Sequence, residues 1–136
     1  MILGIDPGTR RVGVAEADEE TRFARPLEVI DAQAVDPVAR IAELVREKDV
    51  TLIVVGRPLG LAGASGPSVD TQQEFLERLV AAVSVEVCEY DERLTTVIAD
   101  QGLRAAGGSR KSRDTVRDAV AAQVMLQGYL DSERWR

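Results

Sequence analysis

Three acidic positions, far apart along the chain, could carry chemistry. Asp6 closes a short apolar run and is followed by Pro7-Gly8-Thr9-Arg10. A carboxylate at a strand's carboxyl end, beside a glycine turn, can hold a metal while the turn leaves room for phosphate. Asp before Pro and Gly also initiates turns with no further role. Asp91-Glu92-Arg93 stands where a later apolar run ends and a helix should begin. Acids there complement a helix N-terminus, or supply a second carboxylate at the same end of a sheet as Asp6. Asp118 is harder to explain by local structure. It lies between Val116 and Val120, among Ala119, Ala121 and Ala122, where small residues imply a closely packed helix. Asp114, four residues earlier, shares its face. A carboxylate held on such a helix needs a cation, a metal ion or water.

The rest of the composition narrows the chemistry. There is no histidine, which removes Ser-His-Asp and Cys-His catalysis, histidine general bases and every histidine-containing zinc site. A single cysteine, Cys88, excludes a thiolate-only zinc site and an internal disulfide, and in its apolar-rich run a buried structural thiol is the default role. Asp6, Glu92 or Asp91, and Asp118 come from three separate elements. Converging carboxylates without His or Cys suit Mg²⁺ or Mn²⁺, which take oxygen ligands and often keep waters. Two such ions about 4 Å apart can activate water and stabilise a leaving oxygen in phosphodiester cleavage.

A net charge of −6 argues against a general nucleic-acid binder, but the charge is unevenly spread. From Arg104 to Arg117 five basic residues face one acid, Asp114, so this segment carries +4 and the remainder −10. Arg110, Lys111 and Arg113, with Arg10 and Arg93 beside two of the acidic positions, are candidate phosphate contacts. A solvated basic loop is the plainer alternative. With 136 residues, 45% apolar and 29% charged, the chain should form one domain, residues 1–136, of a globular protein. No apolar run approaches the ~20 residues of a membrane helix. The opening residues lack a charged n-region and cleavage site, so no signal peptide is expected and a cytoplasmic location follows.

Apolar patterning places the elements that must position these residues. Met1–Ile5 reads as a buried strand, Val12–Ala17 as a second and Thr21–Ile30 as a third, made irregular or an edge by Pro26. Asp36-Pro37 opens a helix with Val38, Ile41, Ala42, Leu44 and Val45 on its apolar face. Thr51–Val55 is a strand buried on both faces, and Gly56–Gly66 a loop. A helix over about Val69–Val83 should turn Phe75, Leu76, Leu79 and Val80 inward, before a fifth strand at Val85–Tyr90. Thr95 or Thr96 caps a helix to about Ala106, which Gly107-Gly108 ends. After the basic loop, a last helix from roughly Asp114 to Leu130 should direct Val116, Val120, Val124 and Leu130 inward. The first three strands should form an antiparallel meander, with the last two parallel to the first. The expectation is an α/β fold with helices on both faces of the sheet, and ligand chemistry at the strands' carboxyl ends.

The segment Gly4-Ile5-Asp6-Pro7-Gly8-Thr9-Arg10-Arg11-Val12-Gly13-Val14-Ala15 resembles the opening motif of the YqgF/RuvX family, RuvC-like proteins of the RNase H superfamily. Val55-Gly56-Arg57-Pro58-Leu59 with Gly63 resembles its second motif and Asp91-Glu92-Arg93-Leu94-Thr95-Thr96 its third. Asp118-Ala119-Val120-Ala121-Ala122 with Gln127-Gly128-Tyr129-Leu130 resembles the last. All four come in family order over nearly the whole chain. The resemblance implies an RNase H-like mixed five-stranded sheet in order 3-2-1-4-5, with strand 2 antiparallel, and a divalent-metal nuclease site. Asp6, Glu92 and Asp118 fall on the family's acidic triad, with Asp91 and Asp114 as alternates. Two departures, Gly60-Leu61-Ala62 and Arg57, concern the substrate-facing loop.

The family is described both as processing nucleases for the 5′ end of pre-16S ribosomal RNA and as Holliday junction resolvases. The expected activity is therefore Mg²⁺- or Mn²⁺-dependent phosphodiester hydrolysis in structured RNA, with branched DNA as the alternative substrate. A resolvase needs two active sites, so a homodimer would favour that reading. A non-catalytic nucleic-acid-binding transcription factor is the competing class, although such a module gains nothing from acids near phosphate. An actin-like ATPase ranks below both, because it needs two such domains around its nucleotide. The nucleotide-binding glycine fingerprints are missing as well.

Overall fold

The computed structural model describes residues 1–8, 10–57, 67–91 and 110–133, with the backbone alone for 57, 67–70, 91, 110–117 and 133. Five strands, β1 (Ile2–Asp6), β2 (Arg11–Ala17), β3 (Ala24–Asp31), β4 (Leu52–Arg57) and β5 (Glu86–Asp91), form one sheet in the order β3-β2-β1-β4-β5. Pairing is antiparallel between β1 and β2 and between β2 and β3, and parallel from β1 to β4 and from β4 to β5. Three described helices join them: α1 (Pro37–Glu47), α2 (Pro67–Ala82) and α3 (Arg110–Glu133). No helix among the described residues is long and apolar enough to cross a membrane.

β1 and β4 lie inside the sheet with helices on both faces, which is why they read as unbroken apolar runs. On one face Leu3, Ile5, Val12, Val14, Ile53 and Val55 pack under Val38, Ile41 and Leu44 of α1 and Leu79 of α2. On the other, Ile2, Ala15, Ala17 and Val54 meet Ala122, Met125, Leu126 and Leu130 of α3. Cys88, expected to be buried, is only half-buried and packs against the margin of this second cluster. As expected, Pro26 sits on an edge strand, opposite Ala15, where the β2–β3 register shifts between Val14 and Ala15.

Four expectations need correction. β3 starts at Ala24 rather than Thr21, because the preceding residues make a turn. Asp18 accepts hydrogen bonds from the Glu20 and Thr21 amides (2.7 and 3.3 Å), and Arg22 adopts φ 57°. Val80 of α2 is not inward but 53% exposed, since Leu79 alone on that turn reaches the core. The last helix begins at Arg110, so Arg110, Lys111 and Arg113 belong to its first turns and not to a loop. Its buried stripe is Ala121, Ala122, Met125, Leu126 and Leu130, with Val120 and Val124 only half-buried. Small residues let the helix approach closely, and the β-branched valines are left on its flank. The helix expected over 95–106 and residues 58–66 of the glycine-rich loop lie outside the described residues.

Polar contacts fix α1 at both ends. Asp36 caps it by accepting from the Val38 amide (3.1 Å), with Pro37 at the first position, and its other oxygen takes Arg78 of α2 at 2.8 Å. Arg40 donates to both oxygens of Glu28 on β3 (2.8 and 2.9 Å) in a bidentate pair, which raises the already high guanidinium pKa further. At the carboxyl end Lys48 reaches down to Glu16 of β2.

Glu16 is the one buried charged residue among those described, and both its oxygens are engaged. Arg25 of β3 contacts Oε1 (2.7 Å) and Lys48 contacts Oε2 (2.8 Å). Burial alone would push its pKa up, but the hydrogen bonds and charges of Lys48 and Arg25 outweigh this and hold it below its ordinary 4.5. A lowered folded-state pKa contributes stability above the unfolded value that is lost as pH falls through the folded one. Glu16→Gln should therefore cost about 2 kcal/mol at neutral pH, as expected for charge-assisted bonds lost from a buried site. Urea melts of the two proteins should differ at pH 7 and converge as the pH drops below 4.5. A constant gap across that range would show that the Glu16 charge contributes nothing.

Candidate active site

The parallel pairings bring three strand ends to one edge of the sheet. Ile5 lies beside Val55, Gly56 beside Tyr90, and Arg57 beside Asp91, so Asp6, Arg57 and Asp91 close their strands together. At about 4.8 Å between neighbouring strands, the ends of β1 and β5 are about 10 Å apart. Asp6 shares the alternation of Ile2 and Gly4, both of which face α3. The half-buried Asp6 thus belongs to the helix-covered face.

Asp6 pairs in register with Gly13 of β2. Directly over Gly13 runs the backbone of α3: a Cβ at this position would overlap the Asp118 carbonyl oxygen. Antiparallel partners have α-carbons about 4.5–5.5 Å apart. Residues 6 and 118 are therefore neighbours across a single glycine. Asp118 stands four residues before Ala122, which precedes Leu126 and Leu130 at the same spacing. It is the polar end of the stripe that α3 buries.

Other contacts set the register of α3. A Cβ on Gly4 would lie 2.7 Å from Leu126 Cβ, so glycine is required on β1 as well. Gln127 accepts from the Ala24 amide (2.8 Å) and donates to the Arg22 carbonyl (3.0 Å), while Gln123 donates to the Ala24 carbonyl (3.2 Å). These amides satisfy the backbone at the start of β3 and hold the helix to it. Tyr129 packs edge-to-face on Tyr90 of β5 with ring centroids 5.9 Å apart.

The site also contains a residue that sequence reasoning did not single out. Arg11, the first residue of β2, places its Nε 2.9 Å from Asp118 Oδ2. That oxygen is itself buried, whereas the two side chains retain 35% and 21% exposure. The available signal was alternation: Arg11 shares a face with Gly13, Ala15 and Ala17, the small residues beneath α3. Arg10, by contrast, is exposed in the preceding turn, where its carbonyl accepts from the Ala32 amide (2.9 Å).

Of the remaining candidates, Asp91 is the last residue of β5, and Glu92 and Arg93 lie outside the described residues. Asp114, Arg110, Lys111 and Arg113 are on α3, in the two turns before Asp118. At 1.5 Å per residue, Arg110 stands about 12 Å further along the helix axis than Asp118. Among the described residues, no three Asp, Glu, Cys or His side chains are grouped closely enough to hold a metal ion.

Gly13→Ala tests the contact on which this geometry depends. The new methyl meets backbone, which cannot rotate away, so α3 must shift bodily. The expected loss is about 3 kcal/mol, the upper range for overpacking, or about 10 °C in Tm for a chain of this size. A variant that melts like the wild type would mean that α3 does not rest on Gly13.

Comparison with known proteins identifies the fold and the family. The family model RuvX, described as Holliday junction resolvase, matches residues 1–132. A relative from Chloroflexus aurantiacus, named "Putative pre-16S rRNA nuclease", is 42% identical over 98% of this chain and 88% of its own. One of the same name from Bacillus thuringiensis is 44% identical over 97% of this chain and 98% of its own. Among solved structures, T. thermophilus RuvC in complex with a Holliday junction substrate superposes with a TM-score of 0.59 at 18% identity, covering 98% of this chain and 94% of that one. The fowlpox virus resolvase bound to Holliday junction DNA gives 0.56 at 8% identity, covering 97% of each. The solved structures share the fold, RNase H-like with its 3-2-1-4-5 sheet, and the family model and close relatives go further: this chain belongs to the RuvX (YqgF) family of nucleases and resolvases.

Proposed function

We propose that the protein is a divalent-metal-dependent nuclease, with the 5′ end of pre-16S rRNA as its substrate and Asp6, Glu92 and Asp118 as its acidic triad. The observation that carries this reading is the meeting of Asp6 and Asp118 across Gly13, at the edge where β1, β4 and β5 end. Two carboxylates 112 positions apart (118 − 6) have no reason of local structure to share one spot. Glu92 follows directly on the last residue of β5 and completes the set in sequence.

The donors fit Mg²⁺ or Mn²⁺: both described acids offer hard oxygens, Asp118 already receives a cationic partner, and the chain has no imidazole to offer. When bound, the ion supplies an activated water and stabilises charge on the leaving oxygen. The protein's own residues orient and exclude. Asp6 and Asp118 are rigidly based, one on a central strand and the other on a helix seated against it, so neither must be ordered at the moment of reaction. Arg110, Lys111 and Arg113 add positive potential at the N-terminal end of α3, where no acid occupies the first turn. Cations there oppose the helix dipole, and a phosphate backbone would relieve that repulsion. Arg10 and Arg93 are further candidate contacts beside the acids. The close relatives' name favours ribosomal RNA; the family description and the RuvC-like fold keep four-way DNA junctions as the second reading, for which a homodimer would supply two sites.

Incubating one preparation with pre-16S rRNA and with a synthetic four-way junction, with Mn²⁺ or excess chelator, tests both readings. The expected result is metal-dependent cleavage of the RNA, and full activity in chelator would remove the metal-site reading. Asp118→Asn should lower cleavage at least 100-fold while substrate binding persists. Its Tm should fall only a few degrees, since the pair with Arg11 is partly open to solvent and worth about 1 kcal/mol or less. Unimpaired cleavage would take Asp118 out of the site and leave Asp114 as the helix carboxylate.

The basic turn has its own test. Removing both charges with Arg110→Ala and Lys111→Ala should weaken binding and reduce the slope of log K against log salt by roughly 0.7–0.9 per lost phosphate contact. An unchanged slope would show that these residues do not meet phosphate.

A further inference from the structure

We infer that Arg11 is an exchangeable counter-ion: it neutralises Asp118 until a divalent ion binds, then turns to the substrate phosphate. The inference rests on the reading of Asp6 and Asp118 as ligands of that ion. Three features of the pair support it. First, the contact is made to Oδ2, the buried oxygen of Asp118, at 2.9 Å, so β2 places a cation against a carboxylate oxygen buried under α3. Second, the compensation is not locked in. Arg11 keeps 35% of its side chain exposed and Asp118 21%, in contrast to Glu16 at the other end of the same strand, which keeps 4%. A guanidinium on a flexible stem, open to solvent on one side, can swing away where a buried one cannot.

Third, the connection is short. Only residues 7–10 separate Asp6, the last residue of β1, from Arg11, the first of β2. The turn is tight enough that a Cβ on Gly8 would come within 2.5 Å of the Arg11 carbonyl oxygen. The backbone of Arg11 is thus held against the turn that follows Asp6. The side chain's five N–H donors in a planar fork suit a phosphodiester as well as a carboxylate.

Electrostatics sets the direction of the effect. With no ion present, Arg11 offsets the repulsion between neighbouring carboxylates. Once a dication is held there, the same guanidinium is a like charge at short range. Even at effective dielectric constants between those of the protein surface and water, one unit charge about 5 Å from a dication changes affinity roughly tenfold or more. If Arg11 only stapled α3 to β2, its removal would lower the Tm and leave the ion's affinity alone.

Mn²⁺ binding, followed by the electron paramagnetic resonance signal of the free ion, separates these cases without any cleavage assay. Arg11→Met should bind Mn²⁺ about tenfold more tightly than the wild type, and Arg11→Lys, which keeps the charge, should stay near the wild type. In chelator Arg11→Met should melt below the wild type, and its Tm should rise more on adding Mn²⁺. With Mn²⁺ saturating, its binding to a four-way junction and to pre-16S rRNA should weaken several-fold. Arg11→Gln, which retains an N–H donor, has the same expected direction and serves if the Met variant does not fold. Unchanged or weaker Mn²⁺ affinity in the folded neutral variant, or unchanged nucleic-acid binding, overturns the exchange. Asp118→Asn is the reference that tells the two readings apart. Mn²⁺ bound equally well by Asp118→Asn and wild type would refute the site itself, whereas loss in Asp118→Asn with no change in Arg11→Met would refute only the role of Arg11.

Discussion

At Gly13 the backbone of α3 rests on the backbone of β2 with no side chain between them, and much of the molecule is arranged around that contact. A helix normally stands off a sheet by the thickness of two side-chain layers. Here the sheet contributes Gly4, Gly13, Ala15 and Ala17 and the helix Ala122, so α3 meets backbone at Gly13 and seats Leu126 directly on Gly4, with Met125 and Leu130 filling the space around it. The consequence is chemical. The backbone at Asp118 lies over the residue paired with Asp6 only because nothing at position 13 holds the helix away.

The close approach also creates a problem of charge. A carboxylate drawn down onto a sheet loses water and must be compensated. β2 supplies that compensation at its first residue, Arg11, and presents its own buried carboxylate, Glu16, on the other face near its last. The two pairs obey different physics. Glu16 is enclosed, takes a cation on each oxygen and ties β2 to β3 and to the end of α1. Such a group stabilises the fold as long as it is ionised and has no freedom to do anything else. Asp118 and Arg11 are partly open, so their attraction is screened, weaker and reversible. Enclosure suits a structural ion pair, and partial exposure suits a site whose charges must rearrange.

Much of the architecture was legible in the sequence because local rules act at short range. The unbroken apolar runs of β1 and β4, the Asp36-Pro37 helix start and the edge placement of Pro26 each follow from a few adjacent residues. Where boundaries moved, a local competitor had been missed. The Asp18 turn delays β3 to Ala24, and α3 begins a full turn early at Arg110. The buried stripe of α3 departs from the expected one at Val120 and Val124 for a more general reason. Hydrophobicity suggests that valines go inward, but which stripe faces the sheet depends on how near the helix must come, and that is set by glycines on strands more than a hundred residues away.

The same distinction governs the site. From the sequence alone came the absence of histidine, hence oxygen-only chemistry, together with the candidate acids at strand ends and on a close-packed helix. Those are properties of residue types and of spacing within single elements. Only the tertiary structure made Asp6 and Asp118 neighbours, because their meeting requires strand register and a helix contact through Gly13. Only it paired Asp118 with Arg11: among the fifteen arginines in the chain, Arg11 is brought there by the alternation of β2 beneath α3, a pairing across 107 positions (118 − 11) that no local pattern encodes.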